Sequence, residues 1–581
     1  MVEIIASGTC GYNLTWQLTE EGELTIKGTG SMYFETAPWN EYKNEIKSVV
    51  ILEGVTSVEN DAFSGYSNLA SVIIPNGLTS IESGAFSGCS IESIDIPESV
   101  VSIGDNALSS SSLTTVNITN IAAWCNIEFE GIYSNPLRHA NLYLNGELVT
   151  ELNIPNTVTA IKGFAFYGYK NITSVNIPSS VTSIEGHAFY GCTSITSVNI
   201  PSSVTSIEDY AFAGCSNLTS VSLSEGLVSI GRGVFISCGF TSIIIPDGVK
   251  SIDGEAFENC RNLVSIELPE SLVKLWSNVF YECTSLTSVV IPKGITSIER
   301  YTFYGCTNLT SVTLPENLGI IKDYAFSRCS NLTSIICKAT TPPALGDSFY
   351  LVDESIDIFV PPFSISAYQT AENWDDFTNI QGIPSTLTIG EYGSGTYCSE
   401  YALDFSEVAG LKAYAATGYD SETGIVTLTR VMTSQPGMGL FIKGEPGEYI
   451  VPTLESTSFN TLNMLVGTLE NTDLNGTSAD GLYANYKYTV KEGDAEPVFY
   501  QFADGSTLAA GRAYLQIPTA WLTSATAKSI SYRFDDGETT DIEDIESGIQ
   551  NSELIYDLMG RRVQTPSKGS VYIVNGKKIV Y

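Results

Sequence analysis

Residues 174–196 read SVNIPSSVTSIEGHAFYGCTSIT and residues 197–219 read SVNIPSSVTSIEDYAFAGCSNLT, with 17 of 23 positions identical. Direct repetition at this period marks a stacked architecture, in which each unit covers its apolar face only against its neighbours. Working outward from the Ala-Phe pair, the aromatic recurs at Phe63, Phe86, Phe166, Phe189, Phe212, Phe235, Phe257, Phe280, Phe303, Phe326 and Phe349, with Leu108 standing in once. Successive spacings are 22 or 23 residues, except for 58 between Leu108 and Phe166. That gap predicts two longer coils, one of them degenerate, with Asn135-Pro136-Leu137 in its middle.

A second pattern, L-x-x-V-x-I-P, recurs within each unit, as at Leu69, Val72, Ile74, Pro75 and again at Ile195, Val198, Ile200, Pro201. This is the strand pattern of a leucine-rich repeat. Alternation sends Val198 and Ile200 inward and Ser197 and Asn199 outward, and the proline ends ladder pairing because it has no N–H. A second short apolar step follows, then a helical turn with Ala211 and Phe212. Two residues past the aromatic stands Gly65, Gly88, Gly168, Gly191, Gly214 or Gly305, as a left-handed cap closing that turn requires. A lone coil gains about 2 kcal/mol per buried apolar side chain and loses about 1.5 kcal/mol of entropy per ordered residue. It therefore folds only in a stack.

Both ends differ from the middle, as exposed strand edges demand. YNLTWQLTEEGELTIKG (12–28) reads as a capping hairpin turning at Glu21-Gly22. IDIFVPPFSISAYQTAENWDDFTNI (356–380) keeps one strand and adds Tyr368, Trp374 and Phe377 as a second lid. Beyond 384 the period stops, and short alternating runs between Gly, Pro and Asp turns suggest a β-sandwich. The expected fold is mainly β: a capping hairpin over 1–45, a leucine-rich-repeat solenoid over 46–383, a β-sandwich over 385–534, an acidic linker over 535–550, and a small β tail over 551–581 with a type I′ turn at Asn575-Gly576.

The 28 basic and 65 acidic residues give a net charge of -37, which repels nucleic acids and anionic membrane surfaces. No apolar run reaches the roughly 20 residues that span a bilayer. MVEIIASG is too short for a signal-peptide core, so the chain is either cytoplasmic or lost its export signal.

Eight of the 12 cysteines share one repeat position, three after the aromatic: Cys89, Cys192, Cys215, Cys238, Cys260, Cys283, Cys306 and Cys329. Tyr66, Ser111 and Tyr169 fill the same slot, so these are expected to be buried small hydrophobes rather than metal ligands or disulfides. The pairing of Cys10, Cys125, Cys337 and Cys398 is not readable. His187 shares a column with Gly84, Tyr210, Gly233, Glu255, Asn278, Tyr301 and Tyr324, a mixture that suggests a solvent-facing position. Pairing it with Cys192 for catalysis would need a buried group to meet an exposed one. Neither a phosphate cradle at Gly393 nor a singled-out carboxylate pair emerges, so no catalytic residue, metal or cofactor is expected.

The informative departures are aromatic. Glu59, Glu82, Glu185, Glu208, Asp253, Glu299 and Lys322 share one charged column, which Trp276 interrupts; Tyr281, Tyr301, Tyr304 and Tyr324 stand in the same or adjacent coils. Equivalent positions in adjacent coils lie close together, so these five rings are expected to form one patch, either a binding site or rings lying flat over neighbouring coils.

The pattern LTSVxIPxSVTSIxxxAFxGC resembles the BspA-like leucine-rich-repeat surface proteins of gut and oral anaerobes over about residues 8–383. The start ASGTCGYNLTWQL, the APW at Ala37 and the NIAAWCNIEF…NPL…LYLNGE insert are similar to that family as well. Residues 385–534 resemble a β-domain that accompanies such repeats, and the last segment resembles a C-terminal sorting piece. The resemblance implies export, cell-surface display and adhesion to host matrix proteins or to other bacteria, without enzymatic activity. The rival reading is a glycan-binding or glycan-processing protein whose active module is 385–534.

Overall fold

The computed structural model describes residues 3–110, 112–457, 462–479, 482–489, 497–503, 505–522 and 529–535, with the backbone of short strands between 543 and 580. The chain divides into two compact units, Met1–Gln381 and Gly382–Tyr581.

The first unit is a parallel β-solenoid. Each coil contributes a three- or four-residue strand and, after the proline turn, a two-residue strand; Ser174–Asn176 pairs in parallel with Ser197–Asn199, and Ser183–Ile184 with Ser206–Ile207. Val198 and Ile200 are buried and Ser197 and Asn199 exposed, following the strand alternation. The Phe column stacks inside, with ring centroids 5.1–6.0 Å apart for neighbouring pairs such as Phe189 and Phe212 or Phe303 and Phe326. The residue two past the aromatic is left-handed even where it is not glycine: Ser237, Asn259, Glu282, Arg328 and Leu351 join the six glycines. Thr79, Thr173, Thr196, Thr219, Thr287, Thr310 and Thr333 donate their hydroxyls to the carbonyl one coil earlier, at 2.9–3.4 Å. The recurrent Thr before the strand is thus a side-chain rung of the ladder.

The 58-residue interval is an interruption with a cap of its own. Leu137 is buried in the short 3-10 helix Pro136–Arg138, where Asn135 caps the turn. Asn141–Leu144 continues the ladder from Thr115–Ile118, then turns back antiparallel to Glu147–Leu148, and Glu151–Asn153 starts a new ladder. In regular coils the Ala-Phe carbonyl row is served by the previous coil, as when the Phe166 N–H bonds the Ala188 carbonyl. At the first regular coil the Trp39 indole N–H serves the Ala62 carbonyl at 3.1 Å, and after the interruption the Trp124 indole serves Ala165 at 2.8 Å. APW and AAW are thus the same device used twice.

The predicted hairpin is present, Leu14–Thr19 against Glu23–Gly28, and Ile4–Gly11 adds a third strand. Glu23–Gly28 then pairs in parallel with Ser48–Ile51, which carries the cap into the solenoid ladder. At the other end Tyr368, Trp374 and Phe377 are buried, although only Ile365–Gln369 is α-helical, and the Trp374 indole donates to the Pro343 carbonyl.

The second unit is built on a nine-stranded sheet in the order Ser394–Tyr397, Leu440–Gly444, Leu411–Asp420, Ile425–Val431, Ser529–Asp535, Val498–Gln501, Tyr483–Thr489, Arg512–Pro518, Leu465–Thr468. It curls until its ends approach, through a bridge between Met438 and Val466 and the Cys398 N–H on the Gly511 carbonyl. Tyr414, Val426, Leu428, Phe441, Phe499 and Leu515 fill one core inside the curl. Leu411, Ala413 and Ala415 face a second core with Leu387, Ile389 and Val451 of the paired strands Ser385–Ile389 and Gly447–Val451, a layered packing at that face. In the tail Val571–Val574 pairs antiparallel with Lys577–Val580, while the Asn575-Gly576 turn itself lies outside the described residues. Glu543–Asp544, inside the stretch read as an acidic linker, joins this sheet beside Ile579 and Val580; the rest of the linker past Asp535 lies outside the described residues.

Candidate functional site

The expected helical turn around the aromatic is instead a run of tight turns, which fixes what shows on the outer side of each coil. Because the aromatic points inward, the residues two before it and one after it form two parallel columns on the outer side, although Tyr167, Ala213 and Ser327 of the second column are buried. The column two before it has a left-handed backbone from the first coil to that of Phe326: Asp61, Gly84, Asn106, Phe164, His187, Tyr210, Gly233, Glu255, Asn278, Tyr301 and Tyr324 all have φ between 52° and 69°. Gly, Asn and Asp tolerate that region, whereas a bulky side chain pays about 1–2 kcal/mol to occupy it.

Tyr301 and Tyr324 occupy this column and stack at 5.3 Å with planes 11° apart. Tyr281 and Tyr304 occupy the other column and stack at 5.0 Å and 5°. Tyr301 meets Tyr304 edge-on at 5.8 Å, Tyr350 extends the group beyond Tyr324, and the Arg328 guanidinium lies 5.5 Å over Tyr304. The four tyrosines are half-buried; each has one face covered by its stacked neighbour, and the guanidinium lies over the ring of Tyr304 as well. Trp276 is 46% exposed and stands elsewhere, at the end of the short strand Lys274–Leu275, with the Lys274 ammonium 4.4 Å over its ring. Among the described residues it makes no ring contact with the tyrosines, so the expected patch of five is a patch of four plus a separate tryptophan.

A second aromatic group lies in the same two columns. Phe164 stacks on His187 at 4.9 Å, His187 packs on Tyr210 at 5.0 Å, and Tyr167 stacks on Tyr190 at 4.9 Å. Arg138 caps Tyr167, and Arg232 lies over Tyr210 while pairing with Glu255 at 2.6 Å. His187 is therefore half-buried between rings rather than turned to water, and that burial lowers its pKa. The Arg232 hydrogen bonds lower the pKa of Glu255, which also accepts from the Tyr210 hydroxyl. Reading both columns together, rather than the charged column of Trp276, is the signal in the sequence that finds this group.

All 12 cysteines are buried and free. In each of the eight ladder positions the thiol donates to the carbonyl of the preceding coil's aromatic, at 3.0–3.3 Å. The slot thus uses sulfur as a donor as well as an apolar filler. Burial pushes the pKa of Cys89, Cys215, Cys260 and Cys329 up to about 12, so these sulfurs are neutral thiols at physiological pH. Among the described residues no group of three or more His, Cys, Asp or Glu is arranged to hold a metal ion, and no helix is long and apolar enough to cross a membrane.

A comparison with solved structures finds a leucine-rich repeat protein from Eubacterium ventriosum, 25% identical over 52% of this chain and 95% of that one, with a TM-score of 0.37. A leucine-rich repeat protein from Bacteroides ovatus is 21% identical over 66% and 99%, with a TM-score of 0.42. A leucine rich cell surface protein from Faecalibacterium prausnitzii is 21% identical over 65% and 99%, with a TM-score of 0.33. No curated protein matches. The family described as BspA type Leucine rich repeat region (6 copies) matches residues 41–143, 139–263 and 228–350, together more than half of the chain. On the strength of that match, which covers the coils bearing both aromatic groups, the chain belongs to the BspA-type leucine-rich-repeat family.

Proposed function

We propose that this protein is a non-enzymatic recognition scaffold displayed at the cell surface, which binds host matrix or bacterial surface proteins through the tyrosine face of its solenoid. The observation that carries this reading is the left-handed backbone under Tyr301 and Tyr324. Stacking recovers about 0.5–1.5 kcal/mol for an aromatic pair. Apart from what burial adds, that is of the order of the strain, which Gly in the same column avoids and Asn tolerates at lower cost. Rings kept at such positions are better explained by what they meet outside the chain.

A protein partner suits the geometry, because half-buried rings packed on one another offer edges and hydroxyls to an interface. Tyr and Arg are favoured interface anchors, and Arg328 stands over Tyr304. The net charge of -37 disfavours polyanionic partners such as sulfated glycans. The test is binding of the full chain to immobilised collagen, laminin and fibronectin, beside a Tyr281→Ala/Tyr304→Ala variant. Saturable binding to one of them, weakened at least about tenfold (about 1.4 kcal/mol) in the variant, supports the reading. Binding that the variant retains in full would remove the tyrosine face from it. Trp276→Ala, made separately, reports whether the tryptophan shares that surface.

A further inference from the structure

A different aromatic pair sits at the start of the solenoid, outside both columns. Tyr12, in the turn between Ile4–Gly11 and Leu14–Thr19, is 94% exposed; Tyr33 is 68% exposed. Their planes lie 6° apart with centroids at 6.1 Å. Side chains this exposed bury almost nothing, so they contribute little to folding. At this separation the parallel rings are laterally offset, and each leaves most of a face open.

The pair overhangs an open concavity of about 590 Å³ between the capping hairpin and the first two coils. That volume lies within the roughly 300–1,000 Å³ usual for small-ligand sites. Its floor is polar: Ser57 and Ser80 come from successive short strands, and Glu59, Asn60 and Glu82 follow them. The carboxylates are held in place, Glu82 by the Ser80 hydroxyl at 2.7 Å and Glu59 by the Asn60 amides at 3.1 Å. Among the described residues, no lysine or arginine lines the concavity.

We propose that this concavity binds a neutral, β-linked oligosaccharide. The open faces of Tyr12 and Tyr33 stack on the C–H faces of two successive sugar rings, and Glu59, Glu82 and Asn60 accept or donate hydrogen bonds to the sugar hydroxyls. Rings that are nearly parallel make a stepped platform, which suits a flat chain of equatorially substituted sugars. An ammonium cage would need rings facing a common centre. Two carboxylates without a cation exclude uronic, sialic and sulfated sugars. This site is independent of the tyrosine face, so either proposal can fail alone.

The test is calorimetric titration of the full chain with cellotetraose and chitotetraose, with a hyaluronan tetrasaccharide and choline as charged controls. Saturable binding of at least one neutral sugar is expected, absent for hyaluronan, weakened at least about tenfold by Tyr12→Ala and unchanged by Tyr281→Ala/Tyr304→Ala. The melting temperature of Tyr12→Ala should match that of the parent chain. Failure of both neutral sugars to bind, equal binding by Tyr12→Ala, or preference for hyaluronan or choline would each overturn the proposal.

Discussion

Cys215 shows how a residue can be legible in place and hidden in role. Its column reads as buried from the repeat alone, because Tyr66 and Tyr169 share the slot. The thiol's bond to the Phe189 carbonyl at 3.3 Å depends on the distance between coils, which no single repeat encodes. Cys215→Ala is expected to cost about 1–2 kcal/mol, from the lost donor and a small cavity, and to leave partner binding alone. Urea denaturation measures this, and an unchanged midpoint would contradict it. The column of His187 misled for a related reason. Its mixture of Gly, Asn, Glu and aromatics looks like tolerance at a wet position. In the structure the same mixture reflects a left-handed backbone that favours the small residues, onto which rings have been placed.

At the scale of the element, the cysteine column makes stability depend on pH in one direction. Burial raises the folded thiol pKa from 9.0 to about 12 at Cys89, Cys215, Cys260 and Cys329 and well above 9.0 at Cys192, Cys238, Cys283 and Cys306. Below 9 both states hold these protons, and the contribution is fully present. Above 9 the unfolded chain releases these protons while the folded chain holds them, up to about 12 at Cys89, Cys215, Cys260 and Cys329, so stability falls as the pH rises through this window. The urea midpoint should therefore fall steeply from pH 9 to pH 11, and a thiol reagent at pH 8 should find no reactive cysteine until denaturant is added. A flat profile, or prompt labelling, would show the column to be open.

The capping tryptophans make a second prediction at this scale. Trp39→Phe keeps the ring stacked on Phe63 but leaves the buried Ala62 carbonyl without a partner, at a cost of about 1–3 kcal/mol. Trp124→Phe should cost less, because the Asn135 amide also donates to the Ala165 carbonyl. Hydrogen exchange should quicken in the coil of Phe63 and not in that of Phe280, since coils couple mainly to their neighbours. Equal loss in the two variants would argue against this account. The strands, the hairpin and the buried ladder were all legible from period and alternation. The shared function of APW and AAW was not, because it depends on which carbonyls the interruption exposes.

Over the whole solenoid, the two outward columns alternate in character along the stack. Rings gather from Phe164 to Tyr210 and again from Tyr281 to Tyr350. Between them Glu255 of the first column pairs with Arg232 at 2.6 Å, and beside the columns Arg261 pairs with Glu282 of the Tyr281 coil at 3.3 Å. Tyr281, Tyr301, Tyr304 and Tyr324 were legible as a cluster of rings from adjacent coils; the sequence does not decide between a binding patch and rings lying flat, and in the structure they pack half-buried on one another. The separation of Trp276 was not, because it follows a different strand and so faces away from the turns. The most direct test of the tyrosine face as a binding surface is to measure the melting temperature and partner affinity of Tyr301→Asn/Tyr324→Asn together. Asn accepts the left-handed backbone, so the account predicts a melting temperature unchanged or raised, with affinity for the bound matrix protein reduced at least about tenfold. A lowered melting temperature with affinity intact would mean that the rings serve the fold, and would contradict the account.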